Sequence, residues 1–452
     1  HSYSNQGAYA SHGHAIAANG LTSWRLQYAC PNIRGEAYTI YTNTPVGGAM
    51  RGYGIPQVCF AIESFMDDVA NEIHMDPLEF RRKNLIQGYY EDAYLKPIAA
   101  NTNGIFECLE KGAEYIHWDE KRKEYAEQTG DVRKGVGMAL FSYKTGVWPI
   151  SLEIAGARLS LNQDGSVQLM LGATEIGQGA DTVFSQMVAE TLHTDMEHVH
   201  IKTVQDTDVS PFDTGAYASR QSFVTGTAVR HCAEILRDKI LAYAKTLLPE
   251  IDTRELTLKD NWIWAGDEQA ISLAALAEES YYSLTNSSVL TAEVSEQVKK
   301  NTIATGCCFA EVEVDIKLGK IKILHIINVH DSGKLLNPQL AEMQVHGGMS
   351  MGMGYGISEQ LILDEKTGRP LNGNLLDYKL MTMLDTPDIK ADFVELCDPM
   401  GPYGNKALGE PPAIPCAPAI RNAVLHATGV AFYENPLTPQ RLIDGFKKAG
   451  LI

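Results

Sequence analysis

Glu410 lies between Gly409 and the pair Pro411-Pro412, inside the stretch GNKALGEPPAIPCAPAIRNAVLHATG at 404–429. Proline fixes φ and withholds an N–H, so this carboxylate stands on a stiff turn. A rigidly mounted carboxylate is what a general base needs. The competing reading is a negative charge placed favourably at a helix N-terminus. Ile414, Ala417, Ile420, Val424 and Leu425 recur at helical spacing behind it. That spacing predicts a helix that buries an apolar face and anchors the turn to a core.

Other stretches offer polar groups on glycine-rich backbone. In TNTPVGGAMRGYG at 42–54, glycines flank one cation and one aromatic, Arg51 and Tyr53. The backbone there can approach a ligand closely while both side chains stay free to touch it. Arg51 reads equally as an exposed loop arginine. GATEIGQGADT at 172–182 follows the strand 167–171 and runs into a helix over 183–192. Strand, glycine loop and helix together present backbone N–H groups to an anion. The stretch is neither a Walker loop nor a GxGxxG fingerprint. A second cluster of glycine and hydroxyls, DTDVSPFDTGAYASRQSFVTGTAV at 206–229, reads as an irregular surface loop or as more of the same anion cradle. NPQLAEMQVHGGMSMGMGYG at 337–356 suits close packing against another backbone or a flat ligand, and its His346 reads as core or as site.

The elements that must carry these loops are mixed. Helices are predicted at 56–73, from Asp76-Pro77 and over 106–127; strands at 135–143, 151–161, 167–171, 375–383 and 390–396; and a hairpin over 309–329. The fold class is α+β. The charge-rich segment 112–134 is taken as the join between a first domain, 1–130, and a second, 131–452. Residues 254–285 read as a small insert of strands and helix.

With 452 residues, 44% apolar and 21% charged, the chain has the balance of a globular protein of two or more domains. A net charge of −18 argues against a nucleic-acid partner, because a phosphate backbone needs a basic surface. No apolar run has the length of a bilayer span and the start resembles no signal peptide, so the expectation is a cytoplasmic protein with no membrane partner. The eight cysteines contain no CxxC pair and read as reduced core thiols, the adjacent Cys307 and Cys308 included. The chain begins at His1 in what reads like mid-domain sequence, as a fragment or a processed subunit would.

Taken in order, GAMRGYGIPQ, ATEIGQGADT, GAYASRQS, MQVHGG and KALGEPP resemble the molybdenum-binding subunit of the xanthine dehydrogenase and aldehyde oxidase family, over nearly the whole chain. The resemblance implies a multi-domain molybdopterin-binding fold of the xanthine dehydrogenase type. It implies a molybdopterin cofactor, plain or as the cytosine dinucleotide, whose metal is held through the pterin dithiolene and not by side chains. Carried over by motif, Gly177, Gln178, Gly179, Ala218, Ser219, Arg220 and Gln221 would hold the pterin and its phosphate, and Gln344 would hydrogen-bond the pterin. Glu410 takes the place of the catalytic base, Arg51 orients substrate and faces developing negative charge, and Tyr53 matches the aromatic on which a ring substrate stacks.

The implied reaction is hydroxylation of a purine of the xanthine or hypoxanthine type, with nicotinate, another N-heterocycle or an aldehyde as alternatives. A non-catalytic, truncated scaffold is the reading from another class. Electrons would leave through partner subunits carrying 2Fe-2S clusters and FAD. The family's subunit is longer on the N-terminal side. A separate chain or an omitted segment is therefore expected to supply an early glycine-glutamine loop and further purine-recognition residues. The Arg51 loop lacks the cysteine of the carbon monoxide-oxidising branch, which sets that branch aside.

Overall fold

The computed structural model describes residues 1–87, 103–202 and 205–452. The chain forms two compact units: His1–Lys144 with Ile303–Cys397 and Lys406–Ile452, and Thr145–Thr302 with Asp398–Asn405. A single cut near residue 130 does not describe these units. The strand Val132–Lys144 pairs along its whole length with Ile303–Asp315, and that long-range pairing draws the later segment into the first unit.

The first unit is built on a four-stranded sheet in the order Ile389–Phe393, Lys320–Asp331, Ile303–Asp315, Val132–Lys144. Two of the three pairings are antiparallel, and the short edge strand Ile389–Phe393 is parallel to its neighbour. Side chains of a strand alternate between faces, so consecutive residues serve different cores. Cys308, Ala310 and Val312 join one core with Ala139, Ile326 and the helices Cys416–Thr428 and Pro338–Ile357. Cys307 and Phe309 join the other, with Met138, Leu140, Val329 and the helix Ile105–Ile116. Cys307 and Cys308 thus point to opposite layers as buried free thiols.

The helix Cys416–Thr428 is buried nearly all round and lies directly on the backbone of the strand Val132–Lys144. A Cβ at Gly137 would stand 2.1 Å from Ala423 N, and one at Gly135 would stand 2.2 Å from Ala423 O. Gly137→Ala is therefore expected to destabilise the protein by about 3 kcal/mol or more, the upper end of the overpacking range. Thermal unfolding checks this against Gly48→Ala, whose added methyl would meet nothing within 4 Å and should leave Tm unchanged.

The second unit holds a four-stranded sheet in the order Thr291–Gln297, Ile154–Leu161, Val167–Leu171, Val199–Ile201. The helices Ala180–Leu192 and Gly226–Leu247 pack on each other, and the second also lies on the sheet. The insert read at 254–285 is a three-stranded sheet, Leu256–Lys259, Trp262–Ala265 and Glu268–Ser272, followed by the helix Leu273–Tyr282.

The strand expected at 375–383 is absent. Local side chains capture that backbone in turns: Asn374 Oδ1 accepts from Leu376 N and Asp377 N, and Asp385 Oδ2 accepts from Thr382 N. Among the described residues, no helix is long and apolar enough to cross a membrane.

Candidate functional site

Three of the motifs converge within the first unit. Glu410 Oε2 accepts a hydrogen bond from Gly52 N at 2.9 Å, which ties the carboxylate to the backbone of the Arg51 loop. Glu410 stands at the N-cap position of the turn Pro411–Ala413 that follows but makes no side-chain capping bond to it. Arg51 is not a free loop side chain. Its Nε donates to Gly409 O, its Nη2 donates to Gln344 O at 2.8 Å and Gln344 Oε1 at 3.3 Å, and Nη1 faces the Met351 thioether at 4.0 Å. The guanidinium thereby joins the turn before Glu410 to the helix Pro338–Ile357. Burial draws its pKa down from the usual arginine value, and the nearby Glu410 charge opposes that; a guanidinium stays charged regardless.

The glycines of that helix divide by face. A Cβ at Gly348 would meet Pro412 Cβ at 2.4 Å, one at Gly352 would meet Ala413 O at 2.8 Å, and one at Gly356 would meet Ala417 Cα at 3.2 Å. This face accepts the backbone around the Glu410 turn, not a ligand. Gly347 lies off that face, with Arg51 Nη1 at 3.7 Å from where its Cβ would stand. His346 sits a turn above Glu342, 3.8 Å from its carboxylate. Tyr53 adopts a φ of +44°. Its hydroxyl donates to His12 O, and its backbone carbonyl accepts from Asn19 Nδ2 at 2.8 Å, so the hydroxyl is engaged within the protein.

The Glu410 turn is held from beneath by a buried ion pair. Lys406 Nζ donates to Asp331 Oδ2 at 2.8 Å with both side chains fully buried, and Asp331 also accepts from Gly104 N and Gly333 N. Asn328 Nδ2 donates to Pro412 O at 2.9 Å on the other side of the turn.

Next to Asp331, His330 is fully buried against Phe141 and Phe393, with no partner for either ring nitrogen among the described residues. Burial, then the Arg51 charge, lowers its pKa to about 3; burial and Arg122 lower that of His426 to about 4. An unfolded histidine titrates near 6.5, so as pH falls below that value the unfolded state takes up protons that the folded state refuses. Stability should decline from about pH 6.5 downward. His330→Leu, which leaves no orphaned group, should remove about 2 kcal/mol of the loss between pH 8 and pH 5, measured by urea unfolding.

In the second unit, two further motifs meet each other. Gln178 Nε2 donates to Gln221 Oε1 at 2.6 Å, and Gln221 Nε2 donates to Thr174 O at 3.0 Å. Gln221 opens a turn of π-helix, Gln221–Thr225, ahead of the long helix. Ala218 and Ser219 both sit at φ +50°, left-handed positions that cost an L-residue about 1–2 kcal/mol each. Arg220 sustains that bend from inside: Nε donates to Glu153 Oε2, Nη1 to Asp213 Oδ1 and Gly215 O, and Nη2 to Ile154 O, with the side chain fully buried. This corrects the expectation that Arg220 grips a phosphate, since its donors are committed within the protein.

The expectation of backbone amides open to an anion at 177–181 is corrected as well. Glu175 already holds them, accepting from Gly177 N at 2.7 Å and from Gly179 N and Asp181 N at 3.1 Å. Sequence reasoning passed over Glu175, although a carboxylate two residues ahead of a glycine turn is a legible signal. It also passed over the Lys406–Asp331 pair, which no sequence spacing reveals.

Comparison with known proteins bears on these motifs. A model described as molybdopterin cofactor-binding domain matches residues 111–387, and a second of the same description matches 1–85. The putative xanthine dehydrogenase molybdenum-binding subunit XdhA of Escherichia coli (strain K12) is 48% identical over 454 residues, covering 99% of this chain and 60% of that protein. The probable hypoxanthine oxidase XdhD of the same organism is 31% identical, covering 98% of this chain and 46% of that one. The crystal structure of quinoline 2-oxidoreductase from Pseudomonas putida 86 superposes with a TM-score of 0.90 at 22% identity, a likeness of fold over 99% of this chain and 59% of that one. The chain thus spans less than two thirds of the relatives it matches. It belongs to the molybdopterin cofactor-binding domain family, the family of the xanthine dehydrogenase molybdenum-binding subunits.

Proposed function

We propose that this chain is the cofactor-binding part of a molybdenum hydroxylase that oxidises a purine of the xanthine or hypoxanthine type, placing a water-derived oxygen on a carbon beside a ring nitrogen. The observation that carries the reading is the Glu410 carboxylate fixed at 2.9 Å by Gly52 N, in the loop whose Arg51 supplies a half-buried positive charge. A relative 48% identical that bears the xanthine dehydrogenase name supports the substrate class.

The residues present suit a flat, hydrogen-bonding group. Gln344 accepts from Arg51 through Oε1, while its NH2 donates to nothing among the described residues, and Gly347 one turn on leaves its face open. When bound, the molybdopterin supplies the two-electron oxidising power and the site at which water is activated. Glu410 serves as the base that takes the proton. Arg51 stabilises negative charge gathering on the heterocycle, a preorganised contribution of about 3 kcal/mol. Tyr53 offers its ring to the substrate. Gln344 is the first unit's candidate for contact with the pterin, and Gly177, Gln178, Gly179, Ala218, Ser219 and Gln221 are the second unit's candidates for holding the cofactor. Electrons leave through partner subunits with 2Fe-2S clusters and FAD, and a segment or chain corresponding to the unmatched part of the relatives completes the subunit. Six of the eight cysteines are buried, Cys30 is half-buried and Cys397 is exposed.

The test is to purify the chain with its partner subunits, measure molybdenum and pterin, and assay xanthine, hypoxanthine, nicotinate and an aldehyde. Turnover of the purines at near-stoichiometric metal supports the proposal. A metal-loaded complex that turns over only aldehydes, or nothing, overturns it.

A further inference from the structure

The amides at 177–181 are arranged to receive an anion, and one is already there. Glu175 Oε1 accepts from Gly177 N and Gly179 N, and Oε2 accepts from Asp181 N. Gly177 and Gly179 take φ values of +96° and +84°, and these left-handed positions turn the alternate N–H groups inward onto one point, a backbone nest for negative charge. Burial pushes the Glu175 carboxyl up, but the N–H donors of Asp181, Gly179, Gly177 and Ala180 outweigh it and hold it below the usual glutamate value.

Two facts make this nest a poor receptor for an outside phosphate. The resident carboxylate is tethered within the loop, so a free anion must compete with a group at high effective concentration. Asp181 adds a second carboxylate in the first turn of the helix Ala180–Leu192, with its Oδ1 buried and without a partner among the described residues. Two negative charges occupy the place where the helix N-terminus would favour a ligand anion.

The same loop carries Gln178. Its Oε1 accepts from Ile176 N at 2.7 Å, and its Nε2 donates to Thr174 O at 2.9 Å and to Gln221 Oε1. We propose that Glu175 is a positioning residue: an internal anion that closes the nest, sets the loop and thereby fixes the Gln178–Gln221 pair, leaving any cofactor phosphate to be bound by other groups. The part played by Gln178 toward the cofactor rests on the function proposed above; the filling of the nest does not.

Hydrogen exchange of the amides at 177–181 in the full chain, with and without millimolar inorganic phosphate or formate, reads the nest directly, and molybdenum content reads the cofactor. In the wild type these amides should exchange slowly and be indifferent to phosphate. Glu175→Ala should speed their exchange by about 10-fold or more and lower the metal content, and formate, a free carboxylate, should restore both. Glu175→Gln, whose amide oxygen can still accept from Gly177 N and Gly179 N but whose NH2 would face Asp181 N, should speed exchange chiefly at Asp181 and gain nothing from formate. Slower exchange of the wild-type amides on adding phosphate would overturn the proposal, as would a Glu175→Ala loop that exchanges like the wild type. If the exchange pattern holds while neither protein binds molybdenum, the nest assignment stands and the cofactor reading fails.

Discussion

Glu410→Gln is expected to lower kcat by about 10²–10⁴-fold while molybdenum and pterin content stay at the wild-type level. The substitution removes a proton acceptor and the negative charge that faces Arg51. The amide oxygen can still accept from Gly52 N, so the bond that orients the side chain survives. The turn itself is held by groups that do not involve Glu410. Lys406 is paired with Asp331 before it, Asn328 holds Pro412 O after it, and Gly348 and Gly352 accept the backbone beside Pro412 and Ala413. A defect confined to turnover, with no change in Tm or metal, would therefore isolate the base. Unchanged turnover would refute the role, and loss of metal would move Glu410 from catalysis to cofactor retention.

What the sequence disclosed about this region, and what it hid, follows from the range of the interactions. The helix behind Glu410 was legible because its apolar spacing is local, and Ile414, Ala417, Ile420 and Val424 are indeed fully buried. The strands at 135–143 and 167–171 were legible for the same reason. The boundary of the first unit was not, since nothing local in Val132–Lys144 says that its partner lies at Ile303–Asp315. The glycines of the helix Pro338–Ile357 left two readings open, and only the approach of Pro412 and Ala413 decides that Gly348 and Gly352 serve packing. Arg220 shows the limit of motif reasoning. Its place among hydroxyls and glycines suggested a hand for phosphate, yet Glu153 and Asp213, distant in sequence, claim its guanidinium in the interior. At 375–383 an apolar run suggested a strand, and the short polar side chains of Asn374 and Asp385 overrode it.

Arg51→Met is expected to lower purine turnover by about 10²-fold with the metal retained, and to lower Tm by a few degrees. Two effects combine in that outcome. The first is loss of positive charge facing the ring, which acts on the transition state. The second is structural, because Gly409 O and the Gln344 groups, all partly buried, lose their donor, at about 1 kcal/mol each. Retention of metal is expected because Gln344 keeps its place through the backbone of the helix Pro338–Ile357, and Glu410 keeps its bond to Gly52. Arg51→Lys separates the two effects. An ammonium restores the charge but not the planar fork that reaches Gly409 and Gln344 together. If charge dominates, the lysine variant should recover most of the turnover. If the fork dominates, it should resemble the methionine variant in both turnover and Tm. Loss of molybdenum from Arg51→Met would make this arginine a clamp for the cofactor through Gln344, and the substrate role would fall.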